Sequence, residues 1–137
     1  MNQPEKENNS MSTWTESELQ SFAPADDFHV SPYREDGTTP GTPTFIWSVV
    51  ADGNLYIRPY NGPGSRWYRA AIAQKAGRIR LAGAEHEVAF APADAGVLDV
   101  VDEAYRDKYS GSPYVAAVVA DGPRSTTVRV TPRRTGR

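Results

Sequence analysis

The sequence contains no cysteine. That removes disulfides, thiolate metal sites and cysteine nucleophiles together, and it agrees with a reducing compartment, so the cytoplasm is the expected location. Histidine is almost as scarce. His29 and His86 fall on different expected strands and neither stands in a paired ligand spacing, so no metal site is expected. No Gly-x-Ser-x-Gly motif occurs, which argues against a serine-hydrolase elbow. Glu85 and Glu87 share one face of one strand, where neighbouring carboxylates meet solvent rather than flank a scissile bond. Long apolar runs are missing too. Nothing approaches the roughly 20 residues that span a bilayer, and Met1 to Ser10 lack the apolar stretch of a signal peptide. With 15 basic and 17 acidic side chains the net charge is −2, so the whole molecule has no electrostatic reason to seek nucleic acid or a membrane.

What is present points to one turn-rich globular domain. The chain has 137 residues, 39% of them hydrophobic, with 11 glycines and 11 prolines, a composition that favours strands joined by short connections around one core. Residues 1–11 are polar and are expected to form a disordered extension, with Met11 a second candidate start. The domain is expected over 12–132, and 133–137 form a basic tail.

Thr15-Glu16-Ser17-Glu18 has the spacing of a capping box, with Trp14 and Leu19 placed as a staple, and predicts a short helix over 16–22. Residues 28–34 alternate as a half-buried strand, with Pro32 suggesting an edge. Residues 36–43 are nearly all turn formers and make a shaped surface loop. The apolar run 45–50 reads as a single strand buried on both sides, turning at Asp52-Gly53-Asn54 into a partner over 55–60. A helix is predicted over 66–73, with Ser65 available as N-cap and Gly77 as its stop. Residues 79–81 and 85–90 form a hairpin about Gly83-Ala84. Val97, Val100, Val101, Ala104 and Tyr105 mark the core face of a helix within 94–109, with Asp94 as a cap. A last strand pair is predicted over 114–119 and 125–130, turning at Asp121-Gly122-Pro123. About seven strands and three short helices close most economically as a small antiparallel β-barrel with helices packed outside; an open α+β sheet is the alternative.

Charge is segregated along the chain. Residues 1–40 carry Lys6 and Arg34 as their only basic side chains, whereas Arg58, Arg66, Arg69, Lys75, Arg78 and Arg80 crowd the centre. Arg58 at a strand end, Arg66 at a helix start, and Arg78 and Arg80 on the next strand are candidates to converge on one anion, because guanidinium forks and helix-start N–H groups suit phosphate. Scattered surface ion pairs are the competing reading. Trp47, Tyr56, Tyr60, Trp67 and Tyr68 lie in the same stretch, and an aromatic wall beside an anion cradle is what a planar phosphorylated ligand needs. No catalytic residue is assigned.

The strings Thr42-Pro43-Thr44-Phe45-Ile46-Trp47, Leu55 to Gly62, Ser65 to Ala70 and Gly77-Arg78-Ile79-Arg80, with Ala104-Tyr105-Arg106-Asp107-Lys108-Tyr109 and a Thr127 to Pro132 close, resemble a bacterial family, the domain of unknown function 2255. The same stretch is more loosely similar to the deazaflavin-dependent nitroreductases and the FMN-binding split barrels. That likeness implies a split β-barrel, FMN or deazaflavin as cofactor, an oxidoreductase activity and a homodimer. It implies Arg58, Tyr60, Asn61, Arg66, Trp67, Arg78 and Arg80 as cofactor-binding residues, with Thr39, Thr42 and Thr44 as loop candidates. The Arg-Lys-Ser-Gly phosphate run of the deazaflavin group is replaced here by Thr39-Pro40-Gly41-Thr42. The alternative is a cofactor-free module binding a small molecule or a protein; nucleic-acid binding through the arginines is the least favoured reading.

Overall fold

The structure, a computed structural model, describes residues 13–134; the expected extension over 1–11 and the last three residues of the basic tail lie outside them. A capping box opens the first helix, α1 (Glu16–Phe22): Thr15 Oγ1 accepts from the Glu18 amide and the Glu18 carboxylate accepts from the Thr15 amide. Seven strands follow, β1 (His29–Pro32), β2 (Thr44–Phe45), β3 (Ser48–Ala51), β4 (Asn54–Ile57), β5 (Ala76–Leu81), β6 (Ala84–Pro92) and β7 (Val128–Pro132). Between them lie α2 (Arg66–Gln74), α3 (Leu98–Lys108), α4 (Val115–Val118) and α5 (Asp121–Ser125), with short 3-10 turns at Gly62–Gly64 and Ala95–Val97. All seven strands form one antiparallel sheet in the order β2-β1-β5-β6-β7-β4-β3, curled into a half-barrel with the short helices around it.

The curl has a covalent cause. β2 and β3 are the two edges of the sheet, yet only Ile46 and Trp47 separate them in the chain. Three Cα–Cα steps span at most about 11 Å, so the two edges must come close together. The expected single strand over 45–50 is therefore corrected: Phe45 pairs with His29 at one edge, and Ser48 pairs with Ile57 at the other. Side chains and backbone from elsewhere hold the link. Ile46 N–H donates to Phe28 O at 3.2 Å, and Tyr105 Oη donates to Trp47 O at 3.0 Å.

Two cores use the alternation of β4. Leu55 and Ile57 face the first, with Trp14, Phe22, Phe28, Trp67 and Phe90; Tyr56 faces the second, with Val49, Val101, Tyr105 and Val118. Both hairpins turn through two left-handed residues, Asp52-Gly53 and Ala82-Gly83, as two-residue antiparallel turns require. The second turn is thus one residue earlier than the expected Gly83-Ala84.

Three further expectations are revised. Residues 115–118 are helical, not a strand, and α5 occupies 121–125, so only β7 remains of the expected last pair. Val-Ala-Ala-Val carries two of the best helix formers, and Pro123 sits in the first turn of α5, where no intrahelical N–H is required of it. Gly77 does not stop α2. Lys75 does, in the left-handed conformation with its amide on Ala71 O, while Gly77 is already in β5 opposite Pro32. A Cβ at Gly77 would lie 2.6 Å from Ser31 O and 2.7 Å from the Pro32 Cα, so glycine is needed for strand approach. Ser65 and Asp94 occupy cap positions, but neither side chain makes a capping bond.

Candidate ligand-binding site

The segment from Pro40 to Trp47 runs along the seam of the half-barrel, and three cavities open beside it. β2 alternates between them. Thr44 lines one, and the adjacent Phe45 lines another.

The first is an aromatic groove of about 260 Å³, walled by Phe45, Trp47, Tyr60 and Tyr114, with Arg58 and Val118 in its lining. Among the described residues the exposed large hydrophobic side chains are Phe45, Tyr60, Val100 and Tyr114, at 54%, 50%, 47% and 58% exposure, and all but Val100 meet in this groove. Solvent-facing aromatics carry a hydration cost, so their convergence on one concavity is not what folding alone would select. Tyr60 and Tyr114 contact edge to face at 6.2 Å, and Trp47 stacks on Tyr109 at 4.0 Å with the rings nearly parallel. Tyr109 Oη in turn donates to Ser48 O at 3.1 Å, and burial pushes its phenol up to about 12, so the ring backing Trp47 stays neutral and fixed.

Arg58 is buried and engaged on every side. Its Nε donates to Thr127 Oγ1 at 2.9 Å, Nη1 to Val118 O at 3.1 Å and Nη2 to Leu98 O at 3.2 Å. Asp102 Oδ1 lies 2.6 Å from Nη1, off the N–H direction, as a charge contact, and Arg124 pairs with the other carboxylate oxygen. The guanidinium also sits 5.3 Å above the Tyr105 ring. Arg58 thus joins β4 to α3, α4 and the start of β7 beneath the groove.

The second cavity, about 450 Å³, lies between the turn-rich loop and α2 and brings together Tyr33, Arg34, Thr42, Thr44, Arg66 and Trp67. Four of the residues expected in a cofactor cleft meet here. Trp67 is largely buried in the first core, so only part of it reaches this wall. The third, about 410 Å³, holds Arg78 and Arg80 with His29, Ser31 and Glu85 under Pro40, Gly41 and Pro43. Arg78 Nε donates to Glu87 at 2.6 Å, and Tyr33 Oη donates to the other oxygen of the same carboxylate. Those two bonds hold the Glu87 carboxyl below its usual range against the burial that raises it. Arg58, Arg66, Arg78 and Arg80 are therefore distributed over three cavities and do not converge on one anion. Thr39 is tied to Asp36, and Asn61 is exposed at the start of the 3-10 turn. No group of three His, Cys, Asp or Glu side chains among the described residues is placed to hold a metal ion.

Phe45 and Tyr114 of the groove, Arg34 of the second cavity and Asp102 under Arg58 were not expected as site residues, whereas Trp47 was named as part of an aromatic wall. Phe45 lies in an apolar run that looks buried throughout, and Tyr114 is brought in by a helix remote in sequence. Only Arg34, as the one arginine of the acidic first 40 residues, carried a visible signal.

A family model described as "Uncharacterized protein conserved in bacteria (DUF2255)" matches residues 18–130. No curated protein and no solved structure matches significantly.

Proposed function

This chain belongs to the uncharacterised bacterial family DUF2255, and from that premise we propose that it is a small-molecule-binding half-barrel whose groove receives the planar aromatic part of a ligand. The observation carrying this reading is the convergence of Phe45, Tyr60 and Tyr114, each about half exposed, with Trp47 on one groove. The lining contains no carboxylate, imidazole or amine, so the side chains there can hold a ring but have little acid–base chemistry to offer it.

FMN or a deazaflavin is the first ligand class to test. Such a cofactor would supply hydride transfer, and the chain would position it. The aromatic walls suit the flat face of its ring. The groove's 260 Å³ lies below the roughly 300–1,000 Å³ of full small-molecule pockets and suits one end of a fused ring system rather than all of it. Arg58 offers a phosphate little, since its donors serve Thr127, Val118 and Leu98.

Titrating the protein with FMN, a deazaflavin and a single-ring aromatic carboxylate, while following tryptophan fluorescence, tests the proposal. We expect saturable quenching by at least one of them. The Tyr60→Ala/Tyr114→Ala double variant should weaken it at least tenfold with Tm unchanged, because both rings are half exposed. No saturation by any of the three, or equal affinity in the double variant, would sink the reading. Half-exposed aromatics also serve protein contacts. A partner, including a second copy of the chain, is therefore the competing reading, and sedimentation of wild type against the double variant separates the two.

A further inference from the structure

We infer that the cavity between the turn-rich loop and the start of α2 is an oxyanion site, built by Arg34 and Arg66 to hold the phosphate or carboxylate group of a small molecule. It rests on reading the chain as a small-molecule binder, and it lies on the opposite face of β2 from the aromatic groove.

Five described arginines meet carboxylates, Arg58 with Asp102, Arg78 with Glu87, Arg106 with Glu103, Arg124 with Asp99 and Asp102, and Arg134 with Glu18, whereas Arg69, Arg80, Arg129 and Arg133 have no ion pair among the described residues and do not line this cavity. Arg34 and Arg66 are not in any ion pair among the described residues, yet both line the same cavity, and no Asp or Glu lines it with them. Both side chains are solvent-exposed, and an anion seated in the cavity they line is attracted by both charges. The fork geometry of guanidinium suits a group with two or more coplanar oxygens, and the Thr42 and Thr44 side chains add hydroxyls to the same wall.

The local chain fixes the Arg34 backbone and occupies Asp36, while the adjacent Glu35 makes no ion pair with Arg34. Arg34 N–H donates to Thr39 O at 2.8 Å, and Gly37 N–H donates to Arg34 O at 2.8 Å, closing the loop on the arginine's own backbone. Asp36, two residues away, accepts from the amides of Thr38 and Thr39 and from the Thr39 hydroxyl. Those bonds hold its carboxyl down at about 2, as an anion satisfied by the loop itself. Glu87, the other acid near this end of β1, is shared by Arg78 and Tyr33. Arg34 and Arg66 thus line the cavity with no ion-pair partner among the described residues and with no carboxylate among the other lining residues.

Isothermal calorimetry of the full chain with inorganic phosphate and, separately, with succinate tests this, at constant ionic strength set by chloride. Saturable binding of at least one probe is expected, and which one binds identifies the group. Arg34→Gln and Arg66→Gln should each lower that affinity about tenfold, as loss of a charge-assisted hydrogen bond does. Arg69→Gln, on α2 but outside the cavity lining, should not. Absence of saturable binding by both probes, or an equal loss in Arg69→Gln, overturns the site. Tyr60→Ala/Tyr114→Ala should leave phosphate or succinate binding intact. Failure of the aromatic groove and failure of the oxyanion site therefore give different results.

Discussion

Arg58 shows how one side chain can look like a ligand contact in sequence and carry structure instead. An arginine at a strand end beside aromatics suits a phosphate, but β4 delivers it under α3 and α4, where Asp102, two carbonyls and a threonine hydroxyl surround it. A buried ion pair adds little net stability over an apolar replacement, yet removing one partner strands the other charge. Arg58→Ala should therefore cost about 3–5 kcal/mol in denaturant unfolding. Arg58→Met combined with Asp102→Leu should recover part of that loss, the remainder reflecting Arg124, which also binds Asp102. A cost for Arg58→Ala below about 1 kcal/mol, the range of an exposed pair, would show that the guanidinium is free to turn toward a ligand after all.

At the level of elements the exacting contact is where β1 meets β5. Gly77 faces Pro32, and an added methyl would press on the Ser31 carbonyl and the Pro32 Cα, both backbone atoms that cannot swing aside. Gly77→Ala should destabilise the fold by about 1–3 kcal/mol, the range of overpacking, whereas Gly64→Ala, with open space around it, should be close to neutral. Equal Tm values for the two variants would refute the close approach. Elements whose signal is local were legible in the sequence: the capping box of α1, the hairpin at Asp52-Gly53, the second hairpin with its turn one residue off, and the apolar face of α3 that carries Val101 and Tyr105. Elements decided by distant contacts were not. The run from Phe45 to Val50 is interrupted only by Ser48, where β3 begins, and a single serine within a strand-like run is too weak a signal to mark where the chain leaves one sheet edge for the other. Val115 to Val118 satisfies helix and strand patterns alike, a four-residue ambiguity that only packing against α3 resolves. The candidate site was half legible. Arg66, Trp67, Thr42 and Thr44, expected in one cleft from the family resemblance, line one cavity although β3 and β4 separate loop and helix in the chain. The groove was missed because Tyr114 joins Phe45 and Tyr60 only through the tertiary fold.

Across the whole molecule the seam between β2 and β3 determines both shape and site. The seven-stranded sheet is continuous from β2 through β7 to β3, and its ends are tied by Ile46 and Trp47 alone. The same two residues line the groove, so closure of the half-barrel and presentation of its aromatic wall are one structural event. β2 is the weaker end: it has two residues and one neighbour, whereas β5, β6 and β7 are longer and each has a neighbour on both sides. Lengthening the tie should therefore release β2 first. Insertion of two glycines between Ile46 and Trp47 is expected to abolish amide-exchange protection in the His29–Phe45 and Val30–Thr44 pairs, leave the β5–β6–β7 amides protected, and weaken binding of any ligand held by Phe45 and Trp47 together. If β2 keeps its protection and groove binding is unaffected, the hydrogen bonds of β1 hold the edge by themselves and the two-residue link is not what closes the half-barrel.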